Sequence, residues 1–83
     1  MHRLFLSSLA RKSLDKIDKE YQKSIYESLL DIGENPYLGK RLKGEHKGKY
    51  SLRVGKYRII YEIYKDDFQV LVLRISHRKE AYR

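Results

Sequence analysis

The chain has 83 residues, no cysteine and a net charge of +8. Disulfide scaffolds and thiolate metal sites are thereby excluded, and one domain spanning 1–83 with a thin core is expected. The longest apolar run, VLVL at 70–73, is far too short for a bilayer span. The first dozen residues lack a secretory-leader pattern, so a cytoplasmic protein with no membrane partner is expected.

The charge is segregated. Residues 1–34 carry six basic against six acidic side chains, and residues 35–83 carry thirteen against five. Solubility alone requires no such division, whereas a polyanion-binding surface does.

In chain order, HRLFL at 2–6 reads as a short strand. Ser7 or Ser8 then caps a helix, because a serine hydroxyl accepts a first-turn N–H. Ala10, Leu14, Ile17 and Tyr21 recur at helical spacing, followed by Ile25, Leu29 and Ile32. This predicts helices over 8–18 and 20–33 in a hairpin, or one long helix. Gly33 and the NP at 35–36 end the second. Residues 37–48 hold three glycines, four Lys/Arg, one histidine and one acid, and read as a loop. Lys40, Arg41, Lys43, Lys47 and, just beyond, Lys49 are candidate RNA-binding residues.

In YSLRVGKYRIIY (50–61), strands 49–54 and 57–64 meet at Gly55-Lys56, a two-residue loop with glycine first, as tight hairpins prefer. Counting outward, Tyr50, Leu52, Val54, Tyr57, Ile59 and Tyr61 share an apolar face. The other face sets Arg53 directly opposite Arg58. Like charges so placed destabilise a strand pair. A phosphate bridging two planar, permanently charged guanidinium groups converts that repulsion into binding. The alternative is two ordinary exposed cations relieved by Glu62 or Glu80.

A turn at KDD leads to FQVLVLRI (68–75), apolar on both faces as in a central strand covered on both sides. The tail SHRKEAYR has no period and holds His77, Arg78 and Tyr82. His77 offers an imidazole for proton transfer, or simply a hydrogen bond at a strand end. Tyr82 can move a proton, stack on a base, or pack the terminus. Tyr37, Tyr50, Tyr57, Tyr61 and Tyr64 interleave with the basic stretch as suits unstacked RNA bases, although 50, 57 and 61 alternate onto the core face.

The expected architecture is α+β. An N-terminal strand, a helical hairpin and a three-stranded antiparallel meander form one antiparallel sheet with the helices on its apolar face. The first strand joins at an edge, and the face with Arg53 and Arg58 stays open. There is no phosphate loop, dinucleotide fingerprint or zinc-protease motif, and His2, His46 and His77 are scattered, so neither metal nor cofactor is expected.

NP at 35–36, LKG at 42–44, YSLRVGKYRIIYEI and VLVLRISHRKEAYR resemble the RelE/ParE superfamily of toxins from toxin–antitoxin pairs. LARKSLDKIDKEYQKSI is similar to that family's helical hairpin, so the likeness covers nearly the whole chain. The most specific parts are R-V-G-x-Y-R-x-x-Y and the terminal H-R-x-x-x-Y. The resemblance implies a fold like that of small microbial ribonucleases, with an antitoxin as partner.

RelE-like members cleave messenger RNA in the ribosomal A site, whereas ParE-like members poison DNA gyrase without nuclease activity. By position, Arg58 matches the arginine contacting the scissile phosphate, Arg78 the later arginine near the leaving group, and Tyr82 the C-terminal functional tyrosine. Arg53 falls at a catalytic basic position, while Ser51 stands where some relatives have a further lysine. The function so implied is a toxin that inhibits translation as a ribosome-dependent, metal-independent endoribonuclease using the 2′-OH as nucleophile. The alternatives are a gyrase-directed toxin and a non-catalytic RNA-binding module.

Overall fold

The computed structural model describes residues 1–77. Strand β1 (Arg3–Leu6) leads into helices α1 (Ser8–Lys16) and α2 (Lys19–Glu34). Four strands follow, β2 (Lys40–Arg41), β3 (Lys49–Val54), β4 (Tyr57–Tyr64) and β5 (Gln69–His77), with short 3-10 turns at Pro36–Leu38, Gly44–His46 and Lys65–Asp67. They form a five-stranded sheet in the order β1-β5-β4-β3-β2.

Local chemistry sets the element ends. Ser7 is the cap of α1, its hydroxyl accepting from the Ala10 N–H at 3.0 Å. That hydroxyl also donates to the Leu73 carbonyl at 2.7 Å, and the Ser7 N–H donates to the Val72 carbonyl at 2.9 Å. The start of α1 is thus stitched to β5. The helices are separate because Ile17 leaves helical geometry at ψ 135°. The Gln22 side chain of α2 then satisfies the Leu14 carbonyl at 3.0 Å.

The apolar stripe anticipated from spacing is the core. Ala10, Leu14, Ile17, Ile25, Leu29 and Ile32 pack on Ile59, Tyr61, Val70, Val72 and Ile75. Tyr50, Leu52, Val54 and Tyr57 complete that side of the hairpin. Gly55 turns the hairpin at φ +58°, a conformation that a Cβ disfavours.

Four expectations are corrected. The sheet is mixed rather than antiparallel, since β1 runs parallel to β5. That direction pairs Leu4 with Val70 and Leu6 with Val72, keeping apolar side chains on the helix side. The loop at 37–48 contains β2, which pairs Lys40 with Ser51 and Arg41 with Tyr50. The last strand starts one residue later than expected because Phe68 is in the left-handed region (φ 52°), and it runs on to His77. Finally, β5 is covered on one face only: Val70, Val72 and Ile75 are buried, while Leu71 and Leu73 on the other face are half-buried.

Between β4 and β5, Ile60 pairs with Arg74 but Tyr61 pairs with Val72, leaving Leu73 as an extra residue on β5. This bulge reverses the strand's alternation beyond it. Among the described residues no helix is long and apolar enough to cross a membrane.

Candidate functional site

The sheet face away from the helices gathers the cations. Arg53 and Arg58 are direct cross-strand partners, as the hairpin count requires, and Ser76 of β5 lies on the far side of Arg58. One row further along are Lys40, Ser51, Ile60 and Arg74, each pairing with the next. Alternation puts both rows on one face. Ile60 is buried there, outside the cluster beneath the helices. It forms an apolar floor between Arg58 and Arg74.

Arg58 is held in place. Its Nη1 donates to the Oγ of Ser51 at 3.1 Å, a diagonal contact across the two strands. Ser51 is the buried polar residue of this face, 3% exposed. Arg53 is exposed and Arg58 half-buried, so a ligand on this face meets one anchored guanidinium and one free to adjust.

The basic residues of the 37–49 region divide. Lys40 lies on the arginine face, and Lys49 lies there too but opposite Glu62. Arg41 pairs with Tyr50 and therefore faces the helix side. Lys43 and Lys47 flank the Gly44–His46 turn and are exposed. Tyr64 donates its hydroxyl to Glu62 at 2.8 Å, and that carboxylate pushes the phenol pKa up.

His77 is not on the arginine face. It pairs with Tyr57, and its ring lies 5.9 Å from the Tyr57 ring in an edge-on contact. Uninterrupted alternation from Val70 and Val72 puts residue 77 beside the arginines; the bulge at Leu73 carries it to the helix side. Arg78 and Tyr82 lie outside the described residues. Sequence reasoning missed Arg74, whose facing depends on the bulge, and the anchoring role of Ser51. Among the described residues, no group of three or more His, Asp or Glu side chains is arranged to hold a metal ion.

A second constellation, on the helix side of the sheet, supports the loop from Pro36 to Gly39. The buried hydroxyl of Tyr61 donates to the Pro36 carbonyl at 2.7 Å and accepts from the Gly39 N–H at 2.9 Å. Burial pushes its pKa above the ordinary 10.0; the Gly39 N–H opposes the shift and Tyr50 adds to it. A Cβ at Gly39 would collide with the Tyr61 hydroxyl, so the loop approaches closely only with glycine there.

Comparison with known proteins gives the family and the fold. The model of a family described as the ParE toxin of type II toxin–antitoxin systems (parDE) matches residues 4–82. Toxin RelG of Mycobacterium tuberculosis is 33% identical over 79 residues, covering 93% of this chain and 91% of that protein. The solved toxin–antitoxin complex RelBE2 of the same organism superposes with a TM-score of 0.86 at 30% identity, over 93% of this chain and 98% of that one. The archaeal RelE–RelB complex from Pyrococcus horikoshii OT3 shares the fold, with a TM-score of 0.81 at 23% identity over 96% and 98% of the two chains. On a match that runs nearly end to end, the chain belongs to the RelE/ParE superfamily, the toxins of type II toxin–antitoxin pairs.

Proposed function

We propose that this toxin is a ribosome-dependent endoribonuclease that cleaves messenger RNA in the A site. The observation that carries the reading is the Arg53–Arg58 pair, opposed on the sheet face away from the helices with Arg58 tethered to Ser51. A like-charged pair costs stability unless an anion joins it, and a scissile phosphate is such an anion.

In the reaction, a base removes the proton of the 2′-OH and the 2′-oxygen attacks the adjacent phosphorus. The bond from phosphorus to the 5′-oxygen breaks, and an acid protonates that oxygen. Arg53 and Arg58 stabilise the charge gathering on the phosphorane oxygens, with Lys40 beside them. Arg78 acts near the leaving oxygen, and Tyr82 or a lysine of the 40–49 stretch moves protons. His77, on the helix side, has a packing role in this reading. Lys43, Lys47 and Lys49 bind the RNA backbone.

A cognate antitoxin is the proposed partner, in keeping with the complexes in which RelE relatives were solved. Its acidic or apolar segments wrap the basic face and neutralise it.

The test is message on translating ribosomes with purified toxin. Cleavage within the A-site codon, leaving a cyclic phosphate or 3′-phosphate end, supports the reading. A second reading, a gyrase-directed toxin, is favoured by the ParE name of the matching family. Intact message together with inhibited DNA supercoiling establishes that one instead.

A further inference from the structure

We infer that the cleft between Tyr37 and Tyr50 is a second RNA subsite, which takes one unstacked nucleotide of a single strand. The base stacks on Tyr37, and Arg41 and Lys65 hold its phosphate. The inference rests on the RNA-directed reading above but concerns a surface apart from the arginine pair. The cleft measures about 280 Å³ and is lined by Tyr37, Arg41, Gly48, Tyr50, Ile63 and Lys65. Tyr50 precedes Arg53 by three residues, roughly 10 Å along the strand, and points to the opposite side of the sheet.

The aromatic part is built in advance. Tyr37 is 56% exposed, yet its ring meets Tyr50 edge-on at 6.1 Å, and Tyr50 lies stacked on Tyr61 at 5.6 Å. The chain on both sides of Tyr37 is anchored, since Pro36 and Gly39 are both bonded to the Tyr61 hydroxyl. The Tyr37 N–H donates to Asn35 Oδ1 at 3.2 Å. An exposed ring on so constrained a backbone loses little freedom when a base stacks on it. A lone surface tyrosine has no such scaffold.

The charges fit a nucleotide better than an apolar peptide. Arg41 and Lys65, both exposed, add two cations to an aromatic platform, the pairing that single-stranded nucleic acid uses. Asp66 and Asp67 follow Lys65 but do not line the cleft. Continuity with the arginine face comes from β2. Its two residues alternate, so Lys40 lies with Arg53 and Arg58 while Arg41 lies in the cleft. A strand rounding this short edge meets a cation on each side.

Amide shifts of the full chain, titrated with a five-nucleotide single-stranded RNA, test this. Shifts at Tyr37, Arg41, Gly48 and Lys65 are expected, in addition to those at Arg53 and Arg58. Tyr37→Ala should abolish the first set, spare the second, and weaken binding roughly 5- to 150-fold, the contribution of one stacked base. Tyr37→Phe keeps the ring and should bind as the parent does.

Unmoved amides around Tyr37 while those at Arg53 and Arg58 shift, or equal binding by Tyr37→Ala, overturn the inference. So does a response to an acidic peptide but not to RNA. Failure here with A-site cleavage intact defeats this inference alone; shifts at Tyr37 without any cleavage defeat the nuclease reading alone.

Discussion

The Nη1 of Arg58 donates to the Oγ of Ser51 across the β3–β4 pair, at 3.1 Å. Ser51 is buried, so a neutral hydroxyl orients one of the two opposed arginines. Ser51→Ala should lower single-turnover cleavage about tenfold, the worth of a hydrogen bond to a charged group, with substrate affinity little changed. Ser51→Thr restores a hydroxyl and should recover most of the rate. Equal loss in both variants would assign Ser51 to packing.

Arg53 sits directly opposite Arg58, and the pair repels. Replacing Arg53 with threonine, a good strand former, removes that repulsion. We expect Tm to rise by about 1–8 °C, since cross-strand like charges cost about 0.2–1 kcal/mol. The gain should shrink in high salt, and cleavage should fall. Thermal melts at two ionic strengths check this, and a lower Tm at both would show that Arg53 supports the fold.

The buried Tyr61 hydroxyl carries the Pro36–Gly39 loop. Tyr61→Phe leaves a carbonyl and an N–H without their partner and should cost about 1–3 kcal/mol in urea unfolding. Gly39→Ala, which collides with the same hydroxyl, should also destabilise. Full stability in Tyr61→Phe would mean that the loop holds itself.

The same group gives stability an alkaline limit. Burial raises the Tyr61 pKa above 10.0 in the folded chain. Below the unfolded value the phenol is protonated in both states, and its contribution is whole. Above it the unfolded chain releases the proton first, so stability falls as pH rises through the folded value. The urea midpoint should therefore drop more steeply as pH rises above about 10 in the parent than in Tyr61→Phe. Parallel slopes would exclude Tyr61 as the cause.

The elements read best from sequence are those whose cues are local. Gly55-Lys56 and the period-2 pattern around it set the hairpin and the Arg53–Arg58 register, both of which the structure has. The buried stripe from Ala10 to Ile32 follows from helical spacing. What escaped depends on distant partners. Two residues of β2 have no periodicity and are a strand only because β3 lies beside them. The direction of β1 is set by Ser7 and by the match of Leu4 and Leu6 to β5. The bulge at Leu73 leaves no trace in VLVLRI, whose two faces are equally apolar, yet it decides where Arg74 and His77 point.

In the proposed reaction Arg58 stabilises charge on a phosphate in transit, so the rate of Arg58→Ala reports on that role. Removing such a contact typically costs 10²–10³ in rate, or about 3–4 kcal/mol. The Ser51 hydrogen bond to a charged group is worth more than the relieved repulsion from Arg53, so Tm should fall, and the rate is compared well below the variant's own Tm. Single-turnover cleavage of message on translating ribosomes, read by primer extension at the A-site codon, should therefore collapse in a variant with native amide spectra. A folded Arg58→Ala protein that cleaves at the parent rate would contradict the account.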